Sequence, residues 1–289
     1  MHARDLLKQL GLRAKESWGQ NFLSDEGVLA DIAEACGLRA GDTVVELGPG
    51  LGSLTRALLA TGAKVVAVER DRDMVAALEA MKLEGLTVVA GNAAETDFAK
   101  VAGVPDVVVC GNLPYHLSSP ILFEVLEQAH AVKRAVFTLQ AEVVERLAAR
   151  PGGRDYGLLT VLLGLRYDIE NVMSLPAAYF HPPPKVDSAV VALERLSKPR
   201  AEVTSDAHFK KVVKASFAHR RKTLSNSLKG DKALEPLVAE ALAKSGIDGK
   251  RRAETLSVEE FAALERAFGP SGGASSAPRP APSSSPPQG

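Results

Sequence analysis

From residue 43 to about residue 196, short runs rich in β-branched residues alternate with stretches whose apolar positions recur every three or four residues. Runs of the first kind suit strands buried on both faces, and stretches of the second kind suit helices with one apolar stripe. The pattern predicts strands over 43–47, 64–69, 87–90, 106–110 and 135–139, with helices over 54–60, 72–83 and 119–129 between them. The last of these helices takes Ser118 and Ser119 as its cap and Pro120 in its first turn. Such alternation is the mark of an α/β fold, a doubly wound parallel sheet covered by helices on both faces. A buried helix over 158–165 precedes two further strands, 168–175 and 188–195, joined through Phe180-His181-Pro182-Pro183-Pro184-Lys185. An antiparallel hairpin at the sheet edge accounts for that pair.

Beyond residue 197 the pattern turns wholly helical, over 206–218, 222–228, 235–245 and 257–268, with Gly230, Gly246 and Gly249 as breaks. This predicts a small C-terminal helical domain. Residues 270–289 are almost all Gly, Ser, Pro and Ala, cannot bury a core, and are expected to be disordered.

The 289 residues suffice for a large domain and a small one. Lys and Arg together number 35, as do Asp and Glu, so the formal net charge is zero and any contact with nucleic acid must be local. Cys36 and Cys110 lie far apart in apolar surroundings, which supports neither a disulfide framework nor a zinc site; no metal is expected. Residues 1–20 lack the apolar run of a secretory signal, and no segment approaches the roughly 20 apolar residues of a membrane span. A cytoplasmic protein without a membrane partner is therefore expected.

The first strand runs into Gly48-Pro49-Gly50-Leu51-Gly52, where a ligand can approach the backbone at the carboxyl end of a strand. A dinucleotide fingerprint would place its third Gly one residue later, and Glu46 stands just before the loop, so the pattern suits a methyltransferase better than a pyrophosphate site. Glu69 ends the second strand about 20 residues on, where an acid can accept hydrogen bonds from ribose hydroxyls. Asn92 follows the third strand and is placed to read an adenine ring; Gln20-Asn21-Phe22-Leu23 is placed to fold over the methionine end of such a ligand. Gly-rich turns also serve packing alone, and it is the succession of strand ends that favours S-adenosylmethionine as cofactor.

Asn112-Leu113-Pro114-Tyr115 follows the fourth strand, in the same crevice. The lone pair of an adenine N6 amine is delocalised into its ring. The side-chain oxygen of Asn112 and the carbonyl of Pro114 can accept its two N–H bonds and favour a pyramidal, nucleophilic nitrogen, while Tyr115 stacks on the extruded base. The same tetrad would also serve as a plain turn whose Tyr115 caps the core.

Together with Phe180-His181-Pro182-Pro183-Pro184-Lys185-Val186-Asp187-Ser188 and Arg220-Arg221-Lys222-Thr223-Leu224, these motifs resemble the ribosomal RNA adenine dimethyltransferase family, bacterial KsgA type. The likeness spans about residues 15–268. It implies a seven-stranded, Rossmann-like methyltransferase domain over 43–196, an N-terminal arm and cofactor-covering helix over 1–42, and a helical RNA-binding domain over 197–269. It implies dimethylation of two adjacent adenosines near the 3′ end of 16S rRNA in the immature small ribosomal subunit, by a protein expected to be monomeric. The resemblance puts cofactor contacts on Asn21, Leu23, Gly48, Gly50, Glu69, Asn92 and Asn112, with Asn112, Pro114, Tyr115 and Phe180 around the target base. Two positions depart from the family pattern, Asn92 for the usual Asp and His116 for the usual Asn.

Lys210, Lys211 and Lys214 share one predicted helix and Arg220, Arg221 and Lys222 follow it, the densest basic stretch of the chain. Such runs are commonly solvated helix faces. Their expected place, opening the helical domain beside the cleft, favours RNA contact. A methyltransferase of the same architecture acting on large-subunit RNA, and an assembly factor with secondary or lost catalysis, are the competing functions.

Overall fold

The computed structural model describes residues 3–9, 11–15 and 18–269; the expected disorder of 270–289 falls outside them. The chain runs α1 (Ala3–Gln9), β1 (Phe22–Leu23), α2 (Glu26–Ala35), β2 (Thr43–Leu47), α3 (Ser53–Ala60), β3 (Lys64–Glu69), α4 (Arg72–Ala80), β4 (Leu86–Ala90), α5 (Phe98–Ala102), β5 (Val107–Asn112), α6 (Ser118–Glu127), β6 (Val132–Gln140), α7 (Ala141–Leu147) and α8 (Leu158–Gly164). It continues through β7 (Tyr167–Leu175), β8 (Phe180–His181), β9 (Ser188–Arg195), α9 (Asp206–Phe217), α10 (Leu224–Leu228), α11 (Val238–Ser245) and α12 (Val258–Phe268).

Seven strands form one sheet in the order β4-β3-β2-β5-β6-β9-β7, with β2 to β6 parallel and β9 antiparallel to both its neighbours. The expected edge hairpin is thus present, with β9 inside and β7 at the rim. The strand order reverses between β2 and β5, and the crevice above their carboxyl ends is where doubly wound sheets bind ligands. Central strands are apolar on both sides because helices cover both: Val45, Leu47, Val107, Val109 and Phe137 face the layer containing α6 and α7, while Val44, Val65, Val108 and Val136 face that of α2 and α3.

Several element ends differ from expectation. Ser118 is the first residue of α6, not its cap: a single 3₁₀ turn, Tyr115–Leu117, feeds the helix, and Leu117 and Ser118 donate their backbone N–H groups to Pro114 and Tyr115. The helix therefore opens a residue early with Leu117 at its cap, and among the described residues Ser118 Oγ is buried without a hydrogen-bond partner. The helix expected over 222–228 begins at Leu224, capped by Thr223. The core of the helical part is not confined to residues 197–269, because Val161, Leu162 and Leu165 pack with Phe209, Val213, Leu228 and Phe261. Leu163 turns the other way into the sheet, so α8 is a wall common to both cores. Cys36 and Cys110, remote in sequence, meet: the end of α2 lies against β5 and the two buried thiols are hydrogen-bonded, which with burial pushes Cys110 well up from its ordinary range.

Candidate active site

Above β2 and β5 lies a cavity of about 290 Å³. Asn21, Leu23, Gly48, Gly50, Glu69, Asn92, Asn112, Pro114, Tyr115 and Phe180, expected from six separate stretches of sequence, all line it. Arg220, Arg221 and Lys222 do not.

The glycine loop is tied to β3 by the Gly48 N–H on the Val68 carbonyl, 2.9 Å. Gly50 has φ +54°, and a Cβ there would sit 2.8 Å from Cε1 of Phe22. The position needs glycine both for its backbone and because the N-terminal arm closes over it.

Glu69 is nearly buried at the end of β3. Its Oε1 accepts from the N–H groups of Arg70 and Asp71, both at 2.8 Å, and its Oε2 from that of Gly50 at 3.1 Å. Burial pushes its pKa up, and the three backbone donors oppose the shift. Of roughly four lone-pair sites on the carboxylate, three are thereby occupied. Glu69 therefore both shapes the glycine loop and offers one free acceptor site on Oε2, rather than the open bidentate acceptor for two hydroxyls that its strand-end position suggests.

Glu46, in sequence only the residue that marks the motif before the glycine loop, has a place of its own in the cavity wall. Its side chain is 1% exposed, lines the cavity, and accepts a 2.6 Å hydrogen bond from Thr55 Oγ1. Burial raises its pKa to about 7 against the lowering effect of Thr55, with nearby Glu69 adding to the rise. A buried carboxyl in a cavity wall suits a cationic ligand, which would favour its ionised form.

Asn92 caps the 3₁₀ turn Ala93–Glu95: its Oδ1 accepts from Ala94 N–H at 3.2 Å and its Nδ2 donates to Glu95 at 2.7 Å. Asn caps a helical turn as well as Asp does, so this departure from the family pattern keeps the local turn. His116, the other departure, is exposed at the cavity mouth, 3.5 Å from where a Cβ on Gly19 would stand.

The arm is pinned at both ends. Lys15 Nζ contacts Asp71 at 2.6 Å and Asp73 at 2.7 Å, and Gln20 Nε2 donates to Asp71 at 2.9 Å. Burial alone would raise the Asp71 pKa, but Lys15 and Gln20 hold it below the usual range. At the far end β1 pairs antiparallel with β8, Phe22 opposite His181 and Leu23 opposite Phe180. Two motifs some 160 residues apart thus form one small sheet. Leu23 and Phe180 are buried, and the Asn21 side chain turns back to the Gly19 carbonyl.

The Asn21 backbone carbonyl accepts Nδ2 of Asn112 at 2.8 Å. This contact fixes the Asn112 amide, because Nδ2 must face the arm and Oδ1 the other way. Among the described residues Oδ1 has no hydrogen-bond partner. The Pro114 carbonyl holds the Leu117 N–H and keeps one lone pair. Tyr115 is half-buried, its hydroxyl 2.8 Å from Ser188 Oγ and its pKa raised by burial. Two acceptors and an anchored aromatic ring thus share one end of the cavity.

The basic run sits on the turn between α9 and α10, after the helical part has begun rather than at its opening. Lys210 is paired with Glu127 at 2.5 Å and Lys211 stands 4.0 Å from Asp231. Arg220 donates to the Arg154 carbonyl at 2.7 Å, and all three residues of the run are exposed. Among the described residues no group of three or more His, Cys, Asp or Glu side chains could hold a metal ion, and no helix is long and apolar enough to cross a membrane.

Sheet order, glycine loop, buried acid at the next strand end and the tetrad at the switch point define a Rossmann-like methyltransferase. The chain belongs to the ribosomal RNA adenine dimethylase family, whose model matches residues 11–268. It is similar to the ribosomal RNA small subunit methyltransferase A of Myxococcus xanthus, 66% identical and covering 95% of this chain and 98% of the relative. To the protein of that description from Anaeromyxobacter sp. it is 51% identical, covering 92% and 97%. Among solved structures it resembles a dimethyladenosine transferase from Plasmodium falciparum (TM-score 0.69, 26% identity, 84% of this chain and 95% of that one). It also resembles the 23S rRNA methyltransferase ErmE (TM-score 0.66, 28% identity, 86% and 99%). The chain is an rRNA adenine dimethyltransferase.

Proposed function

We propose that the chain transfers methyl groups from S-adenosylmethionine to N6 of two adjacent adenosines near the 3′ end of 16S rRNA in the assembling small subunit. The observation that carries this reading is the unpartnered Oδ1 of Asn112 beside the Pro114 carbonyl at the wall of the cavity. A large-subunit substrate is disfavoured: ErmE shares 28% identity, whereas the relatives at 66% and 51% are small-subunit enzymes by name.

The cavity suits the cofactor. Glu69 offers Oε2 to a ribose, Asn92 flanks an adenine, and Glu46 provides a negative charge for a cationic methionine end. S-adenosylmethionine supplies an electrophilic methyl group when bound there. Asn112 Oδ1 and Pro114 O accept the two N–H bonds of the target amine and hold its lone pair toward that methyl, and Tyr115 stacks on the base; the work is positioning, and no side chain must take a proton before attack. The second transfer requires the site to accept an amine with one N–H fewer, which one acceptor alone can orient. Phe180, buried and paired with Leu23 across β1 and β8, flanks the base together with Tyr115.

Glu69→Ala removes a charged acceptor and the brace of the glycine loop, and is expected to cost about 1.5–3 kcal/mol of cofactor affinity by calorimetry. Unchanged affinity would make Glu69 a loop brace alone. Glu46 gives the site a pH dependence. A cation beside it favours the carboxylate, so cofactor affinity is full above about pH 7 and falls as the pH drops through 7. Stability of the ligand-free protein should move oppositely: Glu46 favours folding below its unfolded pKa near 4.5, and that contribution is lost as the pH rises through about 7. Glu46→Gln should flatten both trends.

The Arg220, Arg221 and Lys222 run is proposed to contact RNA phosphates, in a helical RNA-binding domain over 197–269 of a cytoplasmic, monomeric protein. Replacing all three with alanine should reduce the salt slope of subunit binding by roughly one unit per lost contact while cofactor affinity stays put. Identical slopes would return the run to a solvated surface. Supplying labelled cofactor with immature small and large subunits side by side tests the substrate: label is expected in the small-subunit RNA.

A further inference from the structure

Trp18 is the chain's one tryptophan, and it stands at the mouth of the cavity with 39% of its surface open. Lys15 Nζ lies 5.1 Å from its ring centroid and the Arg70 guanidinium carbon 5.3 Å. The two cations differ in what else they do. Lys15 is spent on Asp71 and Asp73, whereas Arg70 is exposed and has no salt bridge among the described residues.

The ring is held in place from both sides. On one, Gln20 and Lys15 fasten its segment to the buried Asp71; on the other, Gly19 lies against Pro114 and His116, the loop that carries the target-side residues. Trp18 therefore bridges the rim between the β3 end and the tetrad. An exposed indole fixed in position, with an unpaired Arg beside it, combines a π-face with a phosphate contact, the two elements by which proteins hold unpaired nucleotides without reading their sequence. A buried structural role would hide the ring, and a role in the ion pair alone would not need it.

We propose that Trp18 and Arg70 form a stacking platform for the unpaired nucleotide next to the adenosine in the cavity, Trp18 taking the base and Arg70 its phosphate. The platform rests on the RNA-methylation reading above. It gives the enzyme a grip on its substrate strand apart from the basic run of the helical part, and two adjacent target adenosines would exchange places between platform and cavity as each is modified.

The test measures binding of immature small subunits and, separately, of S-adenosylmethionine, for wild type and for Trp18→Ala, Trp18→Phe and Arg70→Ala. Trp18→Ala should weaken subunit binding about tenfold or more with cofactor affinity unchanged, and Trp18→Phe should restore most of it. Arg70→Ala should lower the salt slope of subunit binding by about one unit. If Trp18→Ala unfolds, the Arg70 variant still decides: a salt slope for subunit binding unchanged from wild type in Arg70→Ala overturns the platform. Loss of cofactor affinity in Trp18→Ala would place the ring over the cofactor instead, and equal subunit binding across all variants would overturn the platform outright. Wild-type protein that binds no small subunits would refute the RNA reading itself, and the platform with it.

Discussion

Asn112→Ala is expected to slow methyl transfer about 10²–10³-fold, the usual cost of deleting one preorganised hydrogen-bonding group that acts on the reacting centre. Cofactor affinity should fall by no more than about tenfold, the loss of a single hydrogen bond. The difference follows from how Asn112 is held. Its Nδ2 is committed to the Asn21 carbonyl, which leaves Oδ1 without a hydrogen-bond partner among the described residues and open to the amine in the mechanism proposed above. Asn112→Asp separates the two tasks. A carboxylate keeps the acceptor but cannot donate to Asn21, and it sets oxygen against oxygen across a 2.8 Å contact, so the arm that covers the cavity should loosen and cofactor affinity should drop further than in the alanine variant. Single-turnover rates alongside calorimetry resolve both effects. Equal losses of rate and cofactor affinity in Asn112→Ala would remove Asn112 from the methyl-transfer step.

Gly111→Ala is expected to be the most damaging single methyl in the site. Gly111 sits on β5 with β2 and β6 on either side, and a Cβ there would collide with the backbone oxygen of Leu47 and lie 3.1 Å from Leu113 Cδ2. The nearest obstacle is backbone of the neighbouring strand, which cannot rotate aside, so the two strands must part where the glycine loop begins. Overpacking of this kind costs about 1–3 kcal/mol, which for a chain of this size lowers the melting temperature by several degrees. Because Leu47 leads into Gly48 and Gly111 into Asn112, cofactor binding and transfer should both collapse. Wild-type melting and wild-type turnover would show that the strands separate without cost and that the close approach is not required.

The sheet was legible because its chemistry is repetitive: 44–45, 65–68 and 107–109 are unbroken apolar runs, and only parallel strands covered on both faces need such runs. That Gly48, Glu69, Asn92 and Asn112 line one cavity was legible because each stands at or just past a strand end, where position along the chain already implies position in the crevice. Contacts closed through space were not. β1 and β8 have two residues each, too short for any periodicity, and their pairing depends on the whole sheet bringing Phe22 to His181. Asp71 looks like an ordinary helix cap, which it is, and nothing in sequence shows that its second task is to hold Lys15 and Gln20. The Ser118 cap failed because a 3₁₀ turn over Tyr115–Leu117 runs straight into α6 and draws Ser118 into its first turn, an outcome that depends on how Pro114 and Tyr115 are aimed. Glu46 carried no role until burial was known, since a carboxylate near a strand end reads alike whether it is solvated or set in a cavity wall.

The most direct test of the account is to incubate the protein with labelled S-adenosylmethionine and immature small ribosomal subunits, then digest the RNA and map every modified nucleoside by mass spectrometry. N6,N6-dimethyladenosine at two adjacent positions near the 3′ end of 16S rRNA is the expected result. Monomethyladenosine alone with enzyme in excess, label confined to large-subunit RNA, or no transfer at all would contradict it.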